Sequence, residues 1–374
     1  MDNKDLWHGL FAAACEASAA AARMLGKWVG DVASSELAFS QAMRLLRSYS
    51  LIEEVEEAES YATHPVVHRW AHHSQGEQFA TKLGQMAVVV VGWAVPHSST
   101  RDYTTVQRRL LPHAQAGLQW VIASRTDQSI GRGGDYDKDV DRGEEMETVL
   151  DAIHLLGLLY YNQGKLDKAE PMYERALQGF EEALGPKHTL TLGTVNNLGN
   201  LYADQGKLVE AEQMYERALR GYEKALGPKH TSTLDTVNNL GLLYADQGKL
   251  VEAEQMYEWA LEGYKQTLDG DMIQRCQPAL TTMENMGDLY VEQRQYSKAL
   301  AMYAKALSGC QGLFGQSSTR CSKLASKMRA LPSPEAERRK PVHSLAVPEA
   351  SSSRQEEKKG SKLGIRQRLK KILN

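Results

Sequence analysis

Cysteine, proline and phenylalanine are scarce in this chain. Its 374 residues include 4 cysteines, 11 prolines and 5 phenylalanines. The cysteines share no spacing typical of metal ligands or of a redox motif, and nothing in their number or placement indicates a secreted disulfide framework. We therefore expect a protein of a reducing compartment.

Long hydrophobic runs and a basic N-terminal region are also missing. The longest apolar run, from Met86 to Val95, is too short to cross a bilayer and predicts a buried helix. Asp2 and Asp5 stand where a secretory signal would carry basic residues, and Glu16 interrupts the Ala-rich stretch that follows. These features favour a cytoplasmic protein without a transmembrane segment.

No catalytic or nucleotide-binding motif occurs either. A P-loop requires Gly-x-x-x-x-Gly-Lys-Ser/Thr, because backbone amides and a lysine must hold the phosphates, and the chain contains no such string. No nucleophile with a base and no carboxylate pair emerges. The sequence therefore predicts a protein that is not an enzyme, with no catalytic residue and no cofactor.

Two groups of potential metal ligands each lack an essential member. His64, His68 and His72 are spaced four residues apart, but no carboxylate or cysteine stands at a companion position. The alternating aspartates of residues 135–141 have Val140 where a calcium loop requires glycine. We expect no metal site.

A long internal repeat dominates the second half of the chain. Gly157, Gly199, Gly241 and Gly287 are equivalent glycines in four copies of one segment, with spacings of 42, 42 and 46 residues. A fixed period of this length indicates a stacked repeat protein. In each copy the apolar positions recur at helical spacing, so the pattern predicts four pairs of amphipathic helices over residues 147–315.

The repeated residues resemble the tetratricopeptide repeat. The family pattern of Leu-Gly, Tyr, Ala, aromatic and Ala falls on Leu198-Gly199, Tyr202, Ala211, Tyr215 and Ala218. The Leu-Gly-Pro-Lys-His that separates pairs resembles the kinesin-light-chain subtype. The resemblance implies an all-α fold, a right-handed α-solenoid in which the first helix of each pair lines a concave groove that binds a partner.

A second resemblance lies upstream of the repeats. The stretches Leu37 to Leu45, Tyr49 to Glu53 and Tyr61 to Ala71 resemble the winged-helix end of an NB-ARC module, which is found in NLR-like signalling ATPases. The family's Met-His-Asp motif falls on Thr63-His64-Pro65, where only the histidine is retained. The resemblance implies that residues 1–75 are a small winged-helix module, a remnant of an NLR-like architecture without its P-loop.

Two further segments connect this module to the repeats. Residues 76–124 show an apolar periodicity that predicts a connector of two or three helices. Residues 125–146 combine Gly131-Arg132-Gly133-Gly134 with an acidic run, and we expect a flexible linker there.

The C-terminal residues 316–374 differ in charge from the rest of the chain. They hold 15 Lys+Arg and 5 Asp+Glu, whereas the preceding residues are acidic overall. Their Ser-, Pro-, Glu- and Lys-rich composition predicts a disordered tail. Ile365, Leu369 and Ile372 could form a short amphipathic helix that contacts an acidic membrane, and Arg338-Arg339-Lys340 could serve nuclear import.

The polar residues near the repeat glycines are the candidate partner-binding site. In the family, such side chains face the groove and bind an extended peptide. Amides both donate and accept hydrogen bonds, and the acidic members favour a partner that carries Lys or Arg. The candidates are Asn196, Asn197, Asn200, Asp204, Asn238, Asn239, Asp246, Asn285, Asp288 and Glu292. We expect most of the asparagines to be open to a ligand; the alternative is that they bond to the adjacent repeat or cap a helix.

Together these patterns predict a non-enzymatic adaptor that binds a protein or peptide ligand through its repeats. We expect no nucleic-acid partner. The alternative is the C-terminal sensor of an NLR-like switch whose ATPase core is absent from this chain. A motor cargo adaptor would require a heptad coiled coil before the repeats, and residues 1–148 contain none.

Overall fold

The computed structural model describes residues 5–49, 51–55, 60–63, 77–96, 103–123 and 136–332. These residues form fifteen α-helices, one short 3₁₀ turn and one two-stranded hairpin, which confirms the predicted all-α class. The chain divides into two compact units, Met1–Leu201 and Tyr202–Asn374, and each is described here by itself. Among the described residues, no helix combines the length and the apolar character that crossing a bilayer would require.

The first unit begins with a helical module that ends in a hairpin. Its elements are α1 (His8–Ala17), α2 (Ala19–Val29), α3 (Glu36–Ser48), β1 (Ile52–Val55) and β2 (Ser60–Thr63). The strands are antiparallel, with Ile52 opposite Thr63, and Leu6 pairs with Tyr61. The described part of this module is three helices followed by a hairpin, and the winged-helix assignment of residues 1–75 stays a prediction. His64, His68 and His72 lie outside the described residues.

The connector contains two described helices, α4 (Glu77–Trp93) and α5 (Tyr103–Ala123). The apolar run predicted to be a buried helix lies in α4, where Val88, Val89 and Val90 are fully buried. Helix α4 is enclosed because α1, α2, α5 and α6 (Tyr136–Asn162) all pack on it. Its approach to α6 is so close that a Cβ atom at Gly92 would lie 2.4 Å from the carbonyl oxygen of Ala152.

The four repeats are helix pairs, in which we name the first helix A and the second helix B. The pairs are α6 with α7 (Leu166–Ala183), α8 (Thr189–Asp204) with α9 (Leu208–Ala225), α10 (Thr231–Asp246) with α11 (Leu250–Thr267), and α13 (Gln277–Glu292) with α14 (Tyr296–Phe314). A short helix, α12 (Gly270–Ile273), lies in the longer connection before the fourth pair. The boundary between the two units falls within α8.

The turn between the helices of a pair requires a residue with positive φ. Gly164, Gly206 and Gly248 adopt φ values of 68°, 75° and 69°, which glycine reaches without steric cost. In the fourth repeat Arg294 takes this position with a φ of 59°. The same turn is therefore kept where the glycine is lost.

The equivalent glycines of the A helices allow close contact with the B helices. A Cβ atom would lie 2.6 Å from the ring of Tyr257 at Gly241, and 2.5 Å from the ring of Tyr303 at Gly287. The tyrosine rings thus lie directly against the backbone of the A helix. Because this contact recurs, the glycine and the tyrosine recur together in the sequence.

The connector contacts the first repeat as a preceding B helix would. Between repeats, the glutamine at the end of an A helix donates to a glutamate of the preceding B helix, as Gln293 does to Glu254 over 3.0 Å. In the first repeat Gln163 donates to Gln107 of α5 over 3.0 Å. Helix α5 therefore provides the stacking contact for the first pair.

Part of the predicted linker is helical. Helix α6 begins at Tyr136, so the prediction of a flexible linker over residues 125–146 is wrong from residue 136 onward. Acidic residues in the first turns of a helix are favourable because they meet the positive end of its dipole, and the acidic run after Tyr136 stands there. Gly131 to Gly134 lie outside the described residues.

Part of the predicted disordered tail is helical as well. Helix α15 (Thr319–Ala330) begins where Ser318 accepts a hydrogen bond from the amide of Cys321, and it buries Cys321 and Leu324. The prediction of disorder is therefore wrong for these residues. The remaining tail, residues 333–374, lies outside the described residues, and with it the predicted amphipathic helix and the basic cluster.

Helix α15 is the A helix of a fifth, incomplete copy. Phe314-Gly315 and Ser318-Thr319 match the Leu-Gly and His-Thr that precede α8 and α10. The Sγ of Cys321 donates to the carbonyl of Gly315 six residues earlier, as Thr233 does to Gly227. Helix α15 is the last helix that the structure describes, and its Ser322, Lys323 and Ser326 are exposed, so this side of the helix is polar.

Candidate functional site

One face of each A helix carries the side chains that are not buried in the core. On α10, Asp235, Asn239, Leu242 and Asp246 are separated by four, three and four residues, so they lie on one face. We call the equivalent positions the A-helix face. It consists of Asn197, Asn200 and Asp204 on α8, Asn239, Leu242 and Asp246 on α10, and Asn285, Asp288 and Glu292 on α13.

Exposure increases along this face toward the end of each A helix. Asp204, Asp246 and Glu292 are exposed, whereas the asparagines and Asp288 are partly buried. Asn238, at the edge of the face, is only 9% exposed. The predicted acidic residues are thus the accessible part of the site.

Several of the asparagines join adjacent repeats. The Nδ2 of Asn285 donates to Oδ1 of Asn238 over 3.2 Å, and the Nδ2 of Asn197 lies 3.2 Å from Nε2 of His154. Asn197 and Asn285 stand two positions before the glycine of their own A helix. Their partners, His154 and Asn238, stand three positions before the glycine of the preceding A helix. The expectation that these side chains are open to a ligand is wrong for Asn197, Asn238 and Asn285.

The remaining asparagines follow the same arrangement in sequence. Asn196 and Asn239 stand at these two positions in the second and third repeats. Asn196, Asn200 and Asn239 also have interaction partners within the protein. The amides of Asn197, Asn238 and Asn285 therefore contribute to repeat stacking, as the alternative stated for them expects.

An ion pair takes the place of the amide pair at the last junction. Lys327 of α15 stands at the position of Asn285, and its Nζ lies 2.9 Å from Oε1 of Glu284 and 2.8 Å from Oδ2 of Asp288. Burial alone would lower the pKa of Lys327, but the hydrogen bonds to Asp288 and Glu284 raise it overall. Asp288 also accepts a hydrogen bond from the hydroxyl of Tyr303. Asp288 is thus engaged within the protein.

We expect Lys327→Met to loosen α15. Lys327 is 36% exposed, so solvent screens its ion pairs and their loss should cost about 1 kcal/mol, which corresponds to roughly fivefold faster amide exchange. Hydrogen exchange of α15 measures this, with Lys323→Met, an exposed lysine on the same helix, as the matched control. Equal exchange in the two variants would contradict a role for the Lys327 ion pairs.

Three carboxylates act electrostatically on Tyr257. Burial, and then the negative charges of Asp246, Asp288 and Glu292, raise the pKa of this tyrosine above its ordinary value. Burial and the charge of Asp204 also raise the pKa of Asp246. Carboxylates from α10 and α13 therefore both contribute to the raised pKa of Tyr257.

The residue one position after the A-helix glycine can accept a hydrogen bond from the tyrosine of helix B. Tyr303 donates to Asp288 of its own repeat. In the third repeat Leu242 stands at the position of Asp288, and it cannot accept a hydrogen bond. The hydroxyl of Tyr257 therefore has no such acceptor at this position of its own A helix, and Tyr257 as a whole is 1% exposed.

Leu242 belongs to the A-helix face but is not among the candidates predicted from the sequence. Its side chain is 46% exposed, whereas Leu240 and Leu243 on either side of it are 1% exposed. A leucine at helical spacing is predicted to lie in the core, so periodicity alone does not reveal that Leu242 is exposed. The available signal was its alignment with the polar Asn200 and Asp288 in the neighbouring repeats.

Other polar contacts on the A helices belong to repeat stacking. The hydroxyl of Tyr244 donates to Glu212 over 3.2 Å, and Tyr290 makes the same bond to Glu254. Within the described ranges, no three His, Cys, Asp or Glu side chains approach closely enough to hold a metal ion.

Comparisons with known proteins identify the repeats. A family model described as tetratricopeptide repeat matches residues 148–224 and 191–266, and a second model of the same description matches residues 279–319. Among curated proteins, this chain is similar to a nucleotide-binding leucine-rich repeat (NLR)-like protein of Hyaloscypha variabilis, with 30% identity over 157 residues. The match covers 41% of this chain and 14% of that protein, so the chain spans about one seventh of the relative's length.

Two solved structures are similar to the chain. BtubC (BKLC) from P. vanneervenii has 22% identity and a TM-score of 0.38, covering 83% of this chain and 98% of that one. The nearly identical TPR-like repeats of a kinesin light chain from Podosopora anserina have 18% identity and a TM-score of 0.41, covering 57% of this chain and 95% of that one. By the family models that match it, the chain carries tetratricopeptide repeats over residues 148–266 and 279–319.

Proposed function

We propose that this chain is a non-enzymatic scaffold that binds a partner protein or peptide along the A-helix face of its tetratricopeptide repeats. Domains of this kind generally bind protein partners. The observation that carries the proposal is Leu242, an exposed leucine on the A-helix face of a helix whose other leucines are buried.

The surroundings of Leu242 suit a binding surface. Single exposed leucines are common on protein surfaces, but this one lies between the polar Asn239 and the acidic Asp246 on the same face. An apolar anchor with a polar rim is the usual composition of a protein interface. The exposed carboxylates Asp246 and Glu292 favour a partner segment with basic residues.

Two matched variants test this proposal. Leu242→Arg changes the A-helix face, and Val251→Arg changes an exposed aliphatic residue on helix B of the same repeat, where Val251 is 63% exposed. Both variants should fold, because neither side chain is buried. Tagged full-length forms are used to capture partners, which are identified by mass spectrometry, expressed and titrated by calorimetry.

We expect the partner affinity to fall at least about tenfold in Leu242→Arg and to stay within about twofold in Val251→Arg, since a charge placed in an interface core is costly. A partner that binds Leu242→Arg as tightly as the unaltered protein would refute the A-helix face as the binding surface. Circular dichroism of both variants checks that the helices remain intact.

A second candidate function is the sensor part of an NLR-like switch. The similarity to the NLR-like protein and the helical module with its hairpin favour it. The test is Leu45→Asp on α3, where Leu45 is 58% exposed. Loss of a captured nucleotide-binding chain in this variant, with retention in Leu242→Arg, would support the switch over the scaffold.

A further inference from the structure

The contact between α5 and the first repeat, which we call the connector junction, differs from the later junctions in its hydrogen bonds. We propose that α5 is a lid that lifts reversibly off the first repeat at this junction. The inference goes beyond the proposed function, because it concerns no residue of the A-helix face.

The later junctions show how the stack satisfies its buried polar groups. In the fourth repeat the hydroxyl of Tyr290 and Nε2 of Gln293 donate to the two carboxylate oxygens of Glu254, over 3.2 and 3.0 Å. The third repeat forms the same pair of bonds to Glu212. A carboxylate can accept both bonds because it has two acceptor oxygens and no donor.

The connector junction has an amide at the position of this glutamate. Gln163 donates to Oε1 of Gln107 over 3.0 Å, as Gln293 does to Glu254. The other terminal atom of Gln107 is a nitrogen, which cannot accept a hydrogen bond from the hydroxyl of Tyr160. Among the described residues, Nε2 of Gln107 and the hydroxyl of Tyr160 have no hydrogen-bond partner, and both residues are 0% exposed.

These two groups destabilise the closed junction. A buried donor or hydroxyl without a partner has lost its bonds to water and has gained none within the protein. When α5 lifts, water reaches Gln107 and Tyr160, so this penalty is absent from the open state. Opening the junction before the fourth repeat instead breaks two bonds to Glu254. The connector junction therefore opens more readily than that later junction.

The neighbouring helix α4 does not take part in this motion. A Cβ atom at Gly92 would lie 2.4 Å from the carbonyl oxygen of Ala152, so α4 and α6 are in close backbone contact. The indole N–H of Trp93 also donates to the carbonyl of Thr148 over 3.1 Å. Helix α4 thus stays on the first repeat and provides an internal reference for the movement of α5.

The charged contacts of α5 lead away from the repeat. Its Arg109 donates to both carboxylate oxygens of Asp5 over 2.7 Å, and the guanidinium carbon lies 3.8 Å from the centre of the Trp7 ring. Toward the repeat, Lys168 donates to the neutral amide oxygen of Gln115 over 3.1 Å, in an exposed bond. Helix α5 can therefore leave the first repeat while its ion pair with the N-terminal segment remains.

A proline within α5 makes the helix easier to bend. Pro112 lies inside the helix and has no N–H, so the carbonyl of Arg108 lacks its usual partner four residues later. Kinks in helices commonly occur at such positions. The turn that contains Gln107 thus lies directly before a point of low bending resistance.

Hydrogen exchange of the full-length protein, followed by mass spectrometry, tests the lid. In the unaltered protein, α5 should exchange at least about tenfold faster than α13 after correction for intrinsic rates. Tyr160→Phe keeps the buried ring and removes the hydroxyl that lacks a partner, so exchange of α5 should slow at least about fivefold.

Tyr290→Phe is the matched control, because it removes the equivalent hydroxyl where that group is bonded. Exchange of α13 should become at least about threefold faster in this variant. The opposite signs distinguish an unsatisfied hydroxyl from a general effect of replacing tyrosine with phenylalanine. Exchange of α4 should stay within about twofold of the unaltered protein in both variants.

Two results would overturn the lid. One is equal protection of α5 and α13 in the unaltered protein. The other is a Tyr160→Phe variant in which α5 exchanges as before, or in which α4 and α13 slow as much as α5, since the last result reports a stabilisation of the whole protein. A slowing confined to α5 in Tyr160→Phe supports the lid.

Discussion

Replacing Trp259 with alanine is expected to lower the free energy of unfolding by about 3 to 5 kcal/mol, the usual cost of deleting a fully buried large aromatic side chain. Trp259 is 0% exposed and belongs to the continuous core that helices α9 to α15 share. It stands at the position of Arg175 and Arg217, which are only partly buried. The third repeat therefore depends on an apolar residue where the first and second repeats carry arginine.

A second substitution, Trp259→Phe, tests the contribution of the indole N–H of Trp259. Within the described part of the chain, Nε1 of Trp259 is buried without a hydrogen-bond partner. An unsatisfied buried donor costs about 1 to 3 kcal/mol, so Trp259→Phe removes this cost while it keeps an aromatic ring. We expect Trp259→Phe to lose less than about 2 kcal/mol.

Urea unfolding followed by circular dichroism measures both variants. Val251→Ala, at an exposed position on the same helix, serves as the control and should stay within about 0.5 kcal/mol of the unaltered protein. A loss below about 1 kcal/mol in Trp259→Ala would contradict the burial of this side chain.

The repeats were predictable because their residues recur with the contacts they make. A glycine on helix A and a tyrosine on helix B recur together, since the ring of Tyr257 or Tyr303 lies against the glycine backbone. The fifth copy was not predicted, because it lacks these recurring residues. Arg329 stands at its glycine position, and the described residues end at 332, so within them the residues around Gly315 are what records the repeat.

The candidate site was predicted in part. Helical spacing places Asn239, Asp246 and Glu292 on the A-helix face, and they lie there. The bond between Asn238 and Asn285 depends on how two repeats stack, and a pattern within one helix carries no information on that offset. The exposure of Leu242 likewise depends on which neighbours the stack places around it.

The first junction between repeats contains a histidine where the next two contain asparagine, and this makes its stability depend on pH. His154 is partly buried; its Nδ1 lies 3.0 Å from Oγ1 of Thr194, and its Nε2 lies 3.2 Å from Nδ2 of Asn197. An amide nitrogen only donates, so Nε2 accepts and the ring is neutral. Burial lowers the pKa of His154 to about 4.

The direction of the pH effect follows from comparing the folded and unfolded states. Below pH 6.5 the unfolded histidine takes up a proton, whereas the folded one does so only near pH 4. Its contribution is therefore complete above pH 6.5 and is lost as the pH falls toward 4. Between pH 7.5 and 4.5 the loss should be about 2 to 3 kcal/mol.

Asp151, one turn earlier on α6, acts in the opposite direction. Burial, and then the charge of Glu147, raise the pKa of Asp151 to about 6. The folded state then binds a proton more tightly than the unfolded state, so protonation of Asp151 between pH 6 and 3.8 stabilises the fold. Asp151 is partly exposed, and solvent reduces the size of this gain.

The variant His154→Asn separates the two effects, because asparagine is the residue that the second and third repeats carry at this position. Urea unfolding at pH 7.5, 6.5, 5.5 and 4.5 gives the difference in free energy of unfolding between the unaltered protein and the variant. That difference should shift by about 2 to 3 kcal/mol in favour of the variant as the pH falls. For Asp151→Asn the difference should shift the other way, toward the unaltered protein. If the difference in free energy of unfolding stays constant for His154→Asn, the histidine titrates alike in the folded and unfolded states. The assignment of a neutral ring to His154 would then be wrong.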